Sequence, residues 1–508
     1  MKRLILFWGL TILTFCSLWA AKDKDKPITP SLYINGTIIR DYGDIHSGTP
    51  ALLVCVVKHK MVEPEEEPYM VALLINDDWQ LIPLDEWEKY FRPDSVSKKD
   101  FWKLEQLKIV EYFDKKGMRE KLRWEQKQEA DQYILELEKS ELFYDDAAIE
   151  DYLQCALLDI FPQEQLIKRE EGVPIVRILK SSAPDIMMLA NHTLLISTGM
   201  LAILDSEDEL YALLSREVAH YINDHALITV AKNIARAKRA VFWGAVMDGV
   251  VEATEQYLYE RYDYYEPGLV FATNDLIQAL VNQNIANRMG LDYSKEQEQE
   301  ADDIANRYMS CIGRHTDALA SALHKLNNYY QYEKDMEALN KYGTYGTLEE
   351  RVSDMEISSP LPKDRIFLKR MRSIVSFEAT MQDYNKLYKN SYRMAMKNID
   401  NLLAAADDYL LVARSLMKQS NTPESNEECW LYLEKADMIA EVKNVNVTKM
   451  KILLKLRTNE KLEAVALLKH YQSLLDILYQ QPHTEEDAQW IASEQMWAEK
   501  LLERLYLI

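Results

Sequence analysis

The sequence predicts a mainly helical α+β protein. Apolar residues fill 48% of its 508 positions, whereas glycine and proline number only 14 and 15, too few turn formers for a chain of many short strands. Strand-like apolar runs are concentrated around residues 27–95 and again near 175–197, and helix-favouring text fills most of the remainder. A chain of this length exceeds one hydrophobic core, so two or three domains are expected.

Lys2 and Arg3 precede an apolar run from Leu4 to about Ala21, and a charged segment from Lys22 to Lys26 follows. This reads as a secretory signal over residues 1–21, which places the mature chain outside the cytoplasm, in a periplasm or cell envelope. Leu18 meets the small-x-small cleavage rule poorly, so an uncleaved anchor is the alternative. Cys16 lacks the small residues expected before a lipoprotein cysteine. The other four cysteines, Cys55, Cys155, Cys311 and Cys429, are widely spaced, contain no Cys-x-x-Cys and read as buried free thiols. A formal charge of −22 argues against a nucleic acid or an anionic membrane surface as partner. The best later apolar stretch, Val241 to Ala253, is short and carries Asp248 and Glu252. It reads as a buried helix rather than an interfacial one, and no stable span is expected after signal removal.

Residues 22–140 form a first unit. Ala51–Val57 and Met70–Ile75 are strand-length apolar runs separated by the charged loop 63–68, which predicts a small antiparallel sheet followed by a helical connector over about 98–139. A second unit covers 141–375. It contains a helix from Asp145 to Phe161 stopped by Pro162, strands at Ile175–Leu179 and Thr193–Ser197, and a helix opened by a Ser206/Glu209 capping box. Further helices are expected over about 228–260, 270–289, 295–311 and 314–334. Residues 376–508 are helical throughout, with pairs recurring after roughly 34 to 38 residues, as in a tetratricopeptide-like stack or an ordinary helical bundle.

Within the Ser206 helix lies Arg216-Glu217-Val218-Ala219-His220. The zinc-helix pattern His-Glu-x-x-His needs imidazoles at i and i+4 so that both reach one ion from one helical face, with the glutamate as general base for the metal-bound water. Here arginine holds the first ligand position, and a guanidinium has no lone pair to offer and repels the ion. Alone, Arg-Glu-x-x-His carries no weight, since a lone helical histidine is usually an ordinary core or surface residue.

The context gives it weight. Upstream runs Pro184-Asp185-Ile186-Met187-Met188-Leu189-Ala190-Asn191-His192-Thr193, leading into Ser197-Thr198-Gly199-Met200-Leu201. Asn223-Asp224-His225 follows the helix core, and Glu298-Gln299-Glu300-Ala301-Asp302 lies 78 residues beyond His220. In order and spacing this resembles the HtpX and CAAX-prenyl endopeptidase family of zinc metallopeptidases, over about residues 145–375, which implies a gluzincin-type domain. Carried over by position, the resemblance makes His220 and Glu298 zinc ligands and Glu217 the general base. Asp302 is placed to hydrogen-bond a ligand histidine from behind the metal, and His225 stands at the family's further histidine. His192, His315 and His324 read as ordinary polar residues.

The sequence departs from the family at Arg216, at Asp185, at Ala190-Asn191-His192 and at Tyr345 to Val352, where the family's His-Pro is missing. Zinc, expected from the family, is therefore expected to be absent or weakly bound. Arg216 either forks onto a carboxylate and ties the two helices together or reaches out to water. The resulting expectation is an exported pseudopeptidase that binds a protein or peptide partner as adaptor or chaperone. The alternatives are an active zinc endopeptidase drawing a replacement ligand such as His225 or His192, and a peptidase domain that merely scaffolds the functional C-terminal helices.

Overall fold

The computed structural model describes residues 26–29, 31–58, 68–108, 118–162, 172–232, 293–333, 351–353, 355, 357, 361–440, 444–482 and 484–506. The apolar N-terminal run and most of the helices expected over 228–260 and 270–289 lie outside the described residues.

The N-terminal sheet is larger than the two predicted runs. Those runs are β3 (Pro50–Lys58) and β4 (Tyr69–Ile75), paired antiparallel at the centre. Around them stand β1 (Lys26–Pro27), β2 (Ile34–Ile38), β5 (Asp78–Pro83) and β6 (Phe91–Pro93), in the order β5-β4-β3-β2-β6 with β1 also on β3. The β4–β5 hairpin turns on Asn76 and Asp77, both left-handed at φ 51° and 68°. Short polar side chains tolerate this conformation, whose twist matches that of the strands. After a short helix α1 (Trp87–Tyr90), helix α2 (Lys98–Leu107) docks this unit onto the next. Trp102 and Phe101 pack on Tyr308 with ring centroids 5.0 and 5.1 Å apart, and the Trp102 Nε1–H donates to the Ile160 carbonyl at 2.8 Å. Helix α3 (Met118–Lys139) follows, and its Tyr133 and Leu137 pack with Leu189 and Leu195.

In the second unit, helix α4 (Ala147–Ile160) is capped by Asp146, which accepts from the amides of Ala148 and Ile149. The three-stranded sheet has the order β7-β9-β8. Here β7 (Ile175–Leu179) runs parallel to β9 (Thr193–Ser197), and β8 (Ile186–Met188) is an antiparallel edge. Helix α5 (Thr198–Ile203) opens at Gly199, where a Cβ would lie 2.3 Å from the Ser182 carbonyl oxygen. Only glycine allows that approach. Helix α6 (Glu207–Ile222) crosses α7 (Lys295–Cys311), with α8 (Ala318–Glu333) beside them. Ala212, Ala219, Ala301 and Ala305 are fully buried, and such small residues let helix axes approach closely. The capping box expected at Ser206 is half formed: its hydroxyl accepts from the Glu209 amide, while the Glu209 carboxylate accepts from the Asp205 amide, Ser321 and Lys325.

The C-terminal helices are α9 (Arg365–Tyr384), α10 (Tyr388–Asp400), α11 (Ala406–Gln419), α12 (Pro423–Ile439), α13 (Val445–Arg457), α14 (Lys461–Tyr479) and α15 (Glu485–Tyr506). Each packs chiefly on its neighbours in sequence; pairs begin at 365, 406 and 445 and the last helix at 485, spacings of 41, 39 and 40 residues. That is longer than the expected 34 to 38, and the successive small cores around Leu433 and Tyr471 are those of a stacked repeat rather than a closed bundle. The expected division at 375/376 falls inside α9. The core around α6 continues through Phe367, Met371, Val375 and Ala395 to Val412, so the first C-terminal helices complete the second unit. Cys55 and Cys429 are buried free thiols, but Cys155 is exposed and Cys311 partly so, correcting the reading of all four as buried. Among the described residues no helix is long and apolar enough to cross a membrane.

Candidate functional site

The site forms where α6 crosses α7. Residues 216 and 220 lie one turn apart on α6, as do 298 and 302 on α7, so the two pairs face one another. A true capping box of Ser294 and Gln297 starts α7 one turn before Glu298. The Gln297 side chain also donates to the His225 carbonyl at 3.0 Å and accepts from Thr229, fixing the segment that follows α6.

Arg216 is 8% exposed and engages three carboxylates. Its Nε–H donates to Asp302 Oδ1 at 3.0 Å and its Nη1 to Glu217 Oε1 at 2.7 Å, while Nη2 pairs with Glu298 Oε2. The guanidinium is thus tied to both helices and does not extend into water. A second arginine, Arg351, is also buried. Its Nη2 donates to Asp302 at 2.9 and 2.7 Å, and its Nη1 lies 3.2 Å from Glu298 Oε2. Sequence reasoning missed Arg351 as a site residue. The one signal for it is its place in the Tyr345 to Val352 stretch, which corresponds to a family motif but lacks that motif's His-Pro.

Glu217 is buried, and its Oε2 accepts from the Met188 amide of edge strand β8 at 3.2 Å. Burial pushes its carboxyl up to about 7 against the pull of Arg216, with Asp185 adding to the rise. The balance is simple. Glu217 shares the Arg216 guanidinium with Glu298 and Asp302, and that pull does not offset its burial, so it retains its proton towards neutrality.

His220 is 1% exposed, stacked on Tyr293 at 3.9 Å with an interplanar angle of 16°. Burial holds its protonation well below the usual histidine range, and Arg216, His225 and Arg351 add to this. Its Nδ1 lies 2.9 Å from His225 Nδ1; its Nε2 points towards Glu298 Oε2 at 3.9 Å and has no hydrogen-bond partner among the described residues. A continuous helix would carry His225 about 140° away from His220. Instead α6 ends at Ile222, Asp224 takes a left-handed φ of 53°, and a new helical segment starts at 225. His225 is thereby folded back onto His220, with its Nε2 3.4 Å from Glu300. It meets His220 on Nδ1, the nitrogen remote from Glu298.

The departures upstream form a tight turn between β8 and β9. His192 adopts a φ of 67° and lies against the Tyr221 ring, while Asn191 donates to Asp131 of α3 at 2.8 Å. His192 is therefore committed to that turn. Asp185 caps the start of β8 by accepting from the Ile186 amide. Tyr345 to Glu350 lie outside the described residues.

Whether these residues suit zinc is decided by the donor set. Catalytic zinc takes three protein ligands plus water. Among the described residues only His220 Nε2 and Glu298 converge, and Glu298 Oε2 is already paired with two guanidiniums whose charge opposes a cation. Among the described residues no group of three or more His, Cys, Asp or Glu side chains is arranged to hold a metal. The described residues do not by themselves make up the donor set of a catalytic zinc.

The family model described as peptidase family M48 matches residues 150–372, the stretch that contains the three-stranded sheet, α6 and α7. No curated protein matches the chain.

Proposed function

Through residues 150–372 the chain belongs to peptidase family M48, and we propose that it is a zinc-less pseudopeptidase of that family. In this reading it is exported to the cell envelope and binds a protein or peptide partner as an adaptor or chaperone. One observation carries the proposal: the Arg216 guanidinium sits among Glu217, Glu298 and Asp302, ion-paired with the carboxylate that a metal would need. A family that works by zinc-activated water has here a buried ion-pair cluster in the position of the ion. The stacked helices of 365–506 offer an extended surface of the kind helical repeats use for proteins.

A second reading keeps a working zinc endopeptidase with a non-standard ligand. The buried His220 Nε2, without a hydrogen-bond partner among the described residues, favours it, because such a nitrogen is normally satisfied. His225 is close, but on the wrong side of the ring.

Elemental analysis of the purified mature protein, with hydrolysis of an unfolded protein substrate, separates the two. The expected outcome is less than stoichiometric zinc and no hydrolysis, with zinc uptake appearing in Arg216→His. Stoichiometric zinc, together with hydrolysis that Glu217→Gln abolishes, would establish the second reading instead.

A further inference from the structure

Helix α9, the first of the stack, buries a carboxyl where it packs on α5 of the second unit. Glu378 is 1% exposed, and its Oε1 has no hydrogen-bond partner among the described residues. Its polar neighbours are the side chains of Thr198, which opens α5, and of Ser182, in the connection from β7 to β8. Both belong to a tightly bonded turn. The Thr198 hydroxyl is shared between the carbonyls of Leu179 and Ser181, at 3.3 and 3.2 Å. The Ser181 carbonyl also accepts from the Gly199 amide at 2.9 Å, and the Ser182 carbonyl from the Tyr329 hydroxyl at 2.8 Å. The Thr198 hydrogen is thus already engaged, and an ionised Glu378 would find few donors.

The charges of the surrounding elements are engaged elsewhere. Helix α5 carries no charged residue, and the buried face of α10 is uncharged, its Lys397 being paired with Asp205. On α11 the buried charge is Asp408, which accepts from Ser376, Asn398 and the Ala405 amide. Helix α8 contributes Tyr329, over whose ring Arg393 lies at 5.8 Å, and Lys325, paired with Asp205 and Glu209. Around the connection, Lys180 donates to the Glu141 carbonyl and Asp185 caps β8. On α9 itself Asp383 pairs with Arg414, and Tyr144 packs edge-on against Phe377. Burial accordingly raises the Glu378 carboxyl above its ordinary range, and Thr198 and Ser182 draw it back only in part.

We propose that Glu378 is a proton-dependent latch between α9 and the β7–β8 connection: the neutral carboxyl holds the two together, and its ionisation loosens them. A neutral carboxyl packs in this place at little cost, whereas a buried carboxylate without a cation does not. The folded chain keeps a proton that the unfolded chain releases near pH 4.5. The contribution is therefore complete below about pH 4.5 and is lost as pH rises through the folded-state titration. Between the two, the equilibrium for opening this contact rises by up to about tenfold per pH unit. The connection runs through Asp185 into β8, whose Met188 amide bonds Glu217, so the latch bears on the strand beside the candidate site. Nothing in it depends on the metal state of residues 216–220. Its failure would leave the pseudopeptidase reading standing, and the converse also holds.

The test follows amide hydrogen exchange of the full chain by mass spectrometry from about pH 5 to about pH 9, each rate divided by that of an unstructured peptide at the same pH. In the parent, opening of the peptides covering 180–185 and 374–384 should rise by at least about tenfold across this range. Glu378→Gln keeps the shape without the charge and should reduce the rise to less than about threefold. Glu378→Met, apolar and of similar volume, should do the same, and circular dichroism checks that both variants fold. Glu217→Gln, which alters the other buried carboxyl, should leave the rise at 374–384 in place. A flat profile in the parent, an undiminished rise in either Glu378 variant, or loss of the rise at 374–384 in Glu217→Gln would each overturn the proposal.

Discussion

Replacing Arg216 with methionine removes the charge while keeping much of the volume, so the cost reports on the ion-pair cluster rather than on a cavity. In the parent, two guanidiniums face Glu298, Asp302 and Glu217, and the last keeps its proton until about pH 7. In Arg216→Met, Arg351 alone remains, paired with Glu298 and Asp302, and Glu217 loses its guanidinium. Breaking a buried pair by deleting one partner costs roughly 3–5 kcal/mol, because the remaining charge stays buried and unpaired. For a cooperative unit of about 200 residues, each kcal/mol lowers Tm by about 2–4 °C, so a fall of roughly 6–20 °C is expected. The loss should also depend on pH. At about pH 8 an extra carboxylate must either stay ionised without a partner or take up a proton, whereas at about pH 5 protonation is cheap and the loss shrinks. Thermal and urea unfolding of the full chain, followed by circular dichroism at both pH values, measures this. Neutralising a partner as well, in Arg216→Met with Glu298→Gln, should recover part of the loss. If Arg216→Met lies within about 1 kcal/mol of the parent at both pH values, the guanidinium does not hold the helices together and the reasoning fails.

Three further outcomes follow from the same geometry. The folded-state carboxyl of Glu217 titrates near 7 rather than 4.5, so the folded chain holds a proton that the unfolded chain releases. Its contribution is therefore full below about pH 4.5 and lost as pH rises to 7. Glu217→Gln should gain stability relative to the parent by about 2–3 kcal/mol between pH 5 and pH 8, and a flat difference curve would refute this. His220, held neutral, acts in the opposite sense by destabilising the fold as pH falls below its ordinary range, so only the difference between variant and parent isolates Glu217. Arg351→Met should cost about 3 kcal/mol or more in urea unfolding, since it leaves Asp302 with the Arg216 Nε–H as its one guanidinium donor; a cost below about 1 kcal/mol would make Arg351 a bystander. Truncation after residue 375 should give a protein cut rapidly by protease within 150–330, because Ala379, Ala395 and Val412 fill the same core as α6; a compact, resistant fragment would show that the core closes without them.

The elements most legible in the sequence were those written in one local signal. The runs 175–179 and 193–197 appear as strands with those bounds because each is a short apolar stretch between turn residues. Strands β5 and β6 were not legible, since each buries a single residue, and β2 was not because its Asn35-Gly36-Thr37 centre reads as a turn and its pairing with β3 and β6 is tertiary. Nor was the core's continuation to Val412: amphipathic periodicity tells that α9 and α10 bury a face, but not which neighbour covers it.

The site divides along the same line. Residues 216, 217, 220, 298 and 302 could be placed together because helical spacing sets two faces and the family resemblance sets their pairing. That Arg216 bonds to both helices was legible as one of two options, decided by burial that no sequence window displays. His225 defeated the helical-rotation argument through a single left-handed residue, Asp224, and an Asn-Asp pair after a helix is the one local signal that hinted at it. Arg351 was out of reach of spacing altogether, 53 positions beyond Glu298. Its presence changes the physical account, because one arginine against three carboxylates leaves two buried negative charges to neutralise, while two leave one. The single remainder is Glu217, whose burial, with Asp185 adding to it, raises the carboxyl to about 7 although Arg216 pulls it down.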